Sequence, residues 1–235
     1  MSLVNNKEQL SASLLEIRRR YYSKMSAISS SAVIILNSQL LSYGDGDLKE
    51  QFQSLERCLG PYGMSVANHF SGMLLSSVIT EVESYLVDVT KHLLQCYPKK
   101  IGHMEFALRD IIDKPKEEMV LMAAEEHLHG LMYGRPMEYL DKLTELMSIE
   151  AEPVKTHWAA FIEAKARRDL GVHNNWKINS IYRRKVQEAG LAVSEPESGF
   201  LWPDHNYLRG TMGECDKLVE SIADQLELKF APSPE

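Results

Sequence analysis

Apolar side chains recur along this chain at steps of three and four, the spacing that gathers them on one face of an α-helix. Leu10, Leu14, Ile17, Tyr21, Met25, Ile28, Ala32 and Ile35 trace one face of a long first helix. Asn5, with Glu8 three residues on, has the form of a capping box at its start, and Tyr43-Gly44-Asp45-Gly46-Asp47 reads as the turn that ends the region. A short polar helix is predicted from Leu48 to Leu59, broken by Gly60-Pro61-Tyr62-Gly63. The clearest stripe is Leu75, Val78, Ile79, Val82, Tyr85, Leu86, Val89, Leu93 and Leu94, which predicts a buried central helix ended by Pro98.

Two or three shorter helices are predicted between Gly102 and Ile149. Pro115 and Pro136 stand near their starts, where a missing N–H costs nothing. Pro153 opens a helix that carries Trp158, Phe161 and Ile162 and runs into Arg168. Another helix starts at Asn179 or Ser180, and Gly190 to Pro203 reads as a loop. Asp204 is the N-cap of a last helix striped by Leu208, Met212, Cys215, Val219, Ile222 and Leu226. Nothing alternates with period two, so no sheet is expected. The predicted fold class is all-α: a single-domain helical bundle over residues 1–235. Its core spans residues 64–190, with the helices of 5–59 and 204–228 packed on it.

Composition sharpens this picture in two respects. A net charge of −7 argues against indiscriminate binding of nucleic acid or anionic membrane by the whole surface. Three widely spaced cysteines, Cys58, Cys96 and Cys215, make neither a disulfide framework nor a thiolate zinc site, and fit a reducing, cytoplasmic setting. The opening MSLVNNKEQL has no basic-then-apolar leader pattern, and no apolar run is long enough to span a bilayer, so no membrane partner is expected.

The charge is unevenly spread. From Lys165 to Val186 seven basic side chains stand against the single acid Asp169, a local +6 that leaves −13 for the remainder. They are Lys165, Arg167, Arg168, Lys177, Arg183, Arg184 and Lys185. A basic island in an acidic chain is the pattern of a local phosphate contact. Within it, Arg168 precedes His173 by five residues. On one continuous helix those side chains would lie ~140° apart. Gly171 and the helix-poor pair Asn174-Asn175 predict that the helix ends between them, leaving His173 in a turn free to fold back toward the arginine. Imidazole moves protons near neutral pH, and a guanidinium forks onto phosphate oxygens. The plainer alternative is a basic residue answering a helix dipole and a histidine in a polar turn.

The run RRDLGVHNNWKINSIYRRK resembles the signature of the HEPN ribonuclease superfamily: an arginine, a polar residue, then a histidine after four to six intervening positions, often followed by asparagine. Here the residues are Arg168, Asp169, His173 and Asn174. The departure is Asp169, where asparagine or histidine is more usual. An acid there weakens the arginine's hold on an anion. Ser76–Pro98 resembles the family's core helix, with Glu83, Tyr85 and Leu86 in an E-x-Y-L pattern, and Trp158 to Lys185 resembles its motif-bearing helix and the next.

The resemblance implies a homodimeric, metal-independent endoribonuclease that needs no cofactor. The motifs of two protomers would meet in a composite cleft at the two-fold axis. Arg168 would hold the scissile phosphate. His173 would act as general base or acid for attack by the ribose 2′-hydroxyl, leaving a 2′,3′-cyclic phosphate. Asn174 would orient His173 or contact RNA, and Arg167, Lys177, Arg183 and Arg184 would supply positive field. From the residues themselves, either Asn175, Trp176 and Lys177 offer a base-stacking surface or Trp176 packs as an anchor for the turn. Toxin and antiviral-defence roles, with an antitoxin or defence-system partner, come with the resemblance. Two alternatives stay open: a non-catalytic module of the same fold that binds RNA, a nucleotide or a protein, and a helical adaptor that docks its basic island on an acidic partner.

Other constellations read as structural. His127 and His129 of Glu125-Glu126-His127-Leu128-His129 are ~200° apart on a helix and do not face one ion, although Glu125 and His129 share a face. Asp45-Gly46-Asp47 sits between helices, without the strands or the loop that a metal site of its kind needs. Arg18-Arg19-Arg20 fan around the first helix, a solvated face with an auxiliary RNA contact as the alternative.

Overall fold

In a computed structural model, residues 3–41, 46–102, 105–132, 135–193 and 195–230 are described, and the fold is all-α. The helices are α1 (Leu3–Leu41), α2 (Gly46–Leu59), α3 (Val66–Cys96), α4 (Leu108–Ile111), α5 (Lys116–Met132), α6 (Pro136–Met147), α7 (Glu152–Asn174), α8 (Ser180–Glu188) and α9 (His205–Phe230). Short 3-10 turns occupy Gly60–Tyr62 and Pro98–Ile101. Among the described residues strand-like pairing is limited to one isolated bridge between Lys177 and Phe200. No helix there is long and apolar enough to cross a membrane.

Local chemistry accounts for the starts of four helices. Pro136 is the first residue of α6 and Pro115 immediately precedes α5, positions where no helical N–H is lost. Asp204 Oδ1 accepts from the Tyr207 N–H at 2.7 Å, which caps α9, and Asn179 Oδ1 accepts from the Tyr182 N–H at 2.9 Å, which caps α8. The first helix departs from expectation. α1 is already helical at Leu3, so Asn5 and Glu8 lie inside it. Propagation costs little once a helix has nucleated, and Leu3 and Val4 continue the same helix.

The helices divide into two compact units, and α1, α3, α7 and α9 each give a segment to both. The first comprises Met1–Arg20, Glu83–Trp158 and Leu218–Glu235. Its interior holds Leu10 and Leu14 of α1, Leu86 and Leu93 of α3, Leu143 of α6 and Ile222 of α9, all buried. Trp158 is fully enclosed there. Its indole N–H donates to the Pro136 carbonyl at 2.9 Å, and its ring meets Tyr139 edge-on at 4.9 Å. Arg18 bridges Asp224 and Glu227, and Arg20 pairs with Asp88, so these two arginines are committed to carboxylates within the unit.

The second unit comprises Tyr21–Val82 and Ala159–Lys217. Leu75, Val78, Ile79 and Val82 of α3 are fully buried, as the stripe predicts. Ala166 and Leu170 of α7, Ile178, Tyr182 and Val186 of α8 and its lead-in, and Leu201 form one apolar cluster, with Val193 against it. This cluster fixes the motif helix against its successor.

Candidate nucleic-acid interface

The motif lies on α7, and here the expected helix end is overturned. α7 is continuous from Glu152 to Asn174, so Arg168, Gly171 and His173 are all helical. The chain leaves the helix only at Asn175 and Trp176, both left-handed with φ of 47° and 64°. The Trp176 N–H reaches back to the Leu170 carbonyl at 3.0 Å, and the Asn174 side-chain amide donates to the Lys177 carbonyl. Gly171 has a packing role instead of ending the helix: a Cβ there would stand 2.4 Å from Cζ2 of Trp176, and one on Gly72 would stand 2.6 Å from it. The indole fills the space that both glycines leave.

Continuity decides which side chains share a face. Arg168 and His173 lie ~140° apart, whereas Asp169 and His173, four residues apart, lie within ~40°. Asp169 therefore stands between the arginine and the histidine around the helix. Its carboxylate is doubly engaged: Oδ1 accepts from Arg168 Nε at 3.0 Å, and Oδ2 accepts from Lys185 Nζ at 3.0 Å. The three side chains are partly exposed, at 19%, 30% and 32% for Arg168, Asp169 and Lys185.

The expected positive field is smaller than the sequence count. Arg167 turns inward, where Nε and Nη2 bond Glu163 Oε1 at 2.9 and 2.8 Å, and its guanidinium lies 3.7 Å from the centre of the Tyr207 ring. The Tyr182 hydroxyl donates to Glu163 Oε1 at 2.7 Å and the Tyr207 hydroxyl to Oε2 at 2.6 Å. Burial pulls the Arg167 pKa down, but the Tyr207, Glu163 and Tyr182 groups more than reverse this, and it stands above the ordinary value. Burial, then the Glu163 charge, drives both tyrosines upward. Arg183 is clamped by Glu195 through Nε–Oε1 at 2.6 Å and Nη2–Oε2 at 3.0 Å, an exposed fork that raises the arginine pKa and lowers that of the glutamate. Arg167 is thus a partly buried structural tie, whereas Arg183 and Glu195 pair at the surface.

What faces solvent is narrower. His173, Asn175, Lys177 and Arg184 are exposed, together with Val172 at 61% and Ile181 at 54%. Trp176 is 7% exposed, so it anchors the turn and is no base-stacking platform, and Asn174 closes the turn rather than orienting His173. The Glu163 cluster was missed by the sequence reading. Its one visible signal was the four-residue spacing of Glu163 and Arg167 on a helix. Tyr182 and Tyr207 join from α8 and α9, which no local pattern announces.

Among the described residues, no group of three or more His, Cys, Asp and Glu side chains is placed to hold a metal ion. Glu125 pairs with Lys91 at 2.8 Å, while the His127 and His129 side chains, and Asp45, lie outside the described residues. No protein-family model, curated protein or solved structure matches this chain.

Proposed function

We propose that this chain is a subunit of a metal-independent RNA-cleaving enzyme of the HEPN type, acting as a homodimer. The observation that carries the proposal is the end of α7, where His173 is exposed and Arg168, one face away on the helix, is tied to Asp169; Lys177 just after the helix and Arg184 on α8 are exposed too. In this reading Arg168 and the exposed cations bind the phosphodiester. His173 takes the proton of the ribose 2′-hydroxyl, whose oxygen attacks phosphorus. The bond to the 5′-oxygen breaks, that oxygen takes up a proton from water, and a 2′,3′-cyclic phosphate remains. The ~140° between Arg168 and His173 on one helix favours a site shared by two copies, in which each motif supplies what the other's geometry withholds. Exposed Val172 and Ile181 offer apolar area for such a contact.

The test is incubation of single-stranded RNA with the wild-type protein and with His173→Ala, with light scattering on the same samples. The proposal expects a dimer, cleavage by wild type, and a loss of ~10²–10⁴-fold in the variant, the usual contribution of a proton-transferring side chain. Equal cleavage by both proteins would remove His173 from the site.

A second reading is an RNA-binding module without catalysis. The engagement of Arg168 by Asp169 favours it, because a guanidinium already holding a carboxylate stabilises a transition-state charge less well. It keeps Arg168 and His173 as contacts, and expects RNA binding that His173→Ala weakens and no cleavage by either protein.

A further inference from the structure

Of the seven cations between Lys165 and Val186, Arg168 and Lys185 share one carboxylate, although seventeen positions separate them in sequence. We infer that Lys185 belongs to the phosphate site with Arg168, and that Asp169 is an internal stand-in for the phosphate, holding the two cations together and weakening their grip on RNA. The inference rests on the RNA-contacting reading above and names a further residue and a built-in brake of that site.

Three observations carry it. The Asp169 carboxylate uses both oxygens, one on each cation at 3.0 Å, and a phosphodiester presents its two non-bridging oxygens in the same forked way. The three side chains keep enough solvent exposure for an incoming phosphate to compete, in contrast to the Arg167–Glu163 pair, which is 13% and 16% exposed. Around α7, moreover, Asp169 lies between Arg168 and His173. A phosphate that displaced its carboxylate would arrive on the face from which His173 projects.

The experiment is fluorescence anisotropy of a labelled single-stranded 2′-O-methyl RNA, which keeps every phosphate but lacks the attacking hydroxyl, across a series of salt concentrations. Full-length wild type, Asp169→Asn, Lys185→Gln and Lys185→Arg are compared, with thermal melts confirming that each is folded. Asp169→Asn is expected to bind several-fold more tightly at low salt. Lys185→Gln should bind more weakly and reduce the slope of log affinity against log salt by about 0.7, the loss of one phosphate contact on a single strand. Lys185→Arg should retain both affinity and slope. Should Asp169→Asn not fold, the two lysine variants carry the test alone. RNA binding unchanged by every substitution overturns the inference and leaves the RNA reading standing. No binding by any protein at low salt overturns both.

Discussion

Cζ2 of Trp176 lies 2.4 Å from where a Cβ on Gly171 would be, so the side chain just beyond α7 is seated against a residue inside it. The chain reverses through two left-handed residues, Asn175 and Trp176, and delivers the indole back onto the helix it has just left. The glycine permits this by having no side chain, and Gly72 of α3 does the same from the other side. The exposed histidine that ends α7 is thereby set on a rigid corner.

Replacing either glycine by alanine is therefore expected to destabilise the protein by ~1–3 kcal/mol, the usual cost of an added methyl in a filled space. Urea denaturation of Gly171→Ala and Gly72→Ala measures it. A midpoint equal to that of wild type for both variants would show that the indole moves aside freely.

The Glu163 cluster should be more sensitive still. Glu163 balances Arg167 and accepts from two tyrosine hydroxyls in a largely enclosed place. Glu163→Ala leaves that guanidinium without its partner and is expected to cost ~3 kcal/mol or more. Tyr207→Phe, which removes one donor to a charged acceptor, should cost ~1.5 kcal/mol or more. The same denaturation series reads both, and a Glu163→Ala protein as stable as wild type would contradict the assignment.

The tyrosines also set an alkaline limit. Tyr182 and Tyr207 hold their protons well above the ordinary tyrosine range, raised first by burial and then by the Glu163 charge. An unfolded chain gives up the same protons near pH 10. The contribution of these groups to stability is complete below about pH 10 and is lost as the pH rises from there toward the raised native values. Stability measured against pH is expected to fall above that point, and to fall less in a Tyr182→Phe, Tyr207→Phe variant, which has no such protons to lose. An identical fall in that variant and in wild type would contradict the burial.

Thiol chemistry should separate the three cysteines. Burial, then the charges of Asp216 and Glu214, pushes Cys215 up to about 12, whereas Cys58 is exposed. Near neutral pH a thiol reagent is expected to label Cys58 quickly and Cys215 only after denaturation, as judged by peptide mass. Rapid labelling of native Cys215 would contradict the core of the second unit.

The helices were legible because period-three-and-four burial is local. Leu75, Val78, Ile79 and Val82 were assigned to the interior from spacing alone, Asp204 was recognised as a cap from identity and position, and the start of α8 was placed at Asn179 or Ser180. The end of α7 was misread for a physical reason. Gly171 and Asn174 have low helix propensity, but tertiary contact overrides propensity, and the Trp176 indole needs that glycine as a helical neighbour. The charge of the motif was misjudged because a count treats every cation as free. Glu163 holds Arg167 within α7, Asp169 holds both its neighbour Arg168 and Lys185 of α8, and Glu195 in the loop before α9 holds Arg183 of α8.

Analysis of the product ends tests the RNA-cleaving reading most directly. A single-stranded RNA is incubated with the protein in the presence of EDTA, beside the same strand carrying one 2′-deoxy sugar at the mapped cleavage position, and the fragments are weighed by mass spectrometry. Attack by the 2′-hydroxyl assisted by His173 predicts cleavage that survives the chelator, a 2′,3′-cyclic phosphate on the upstream fragment, and no cut at the 2′-deoxy position. Cleavage that requires magnesium, or that proceeds at the 2′-deoxy sugar, would contradict it.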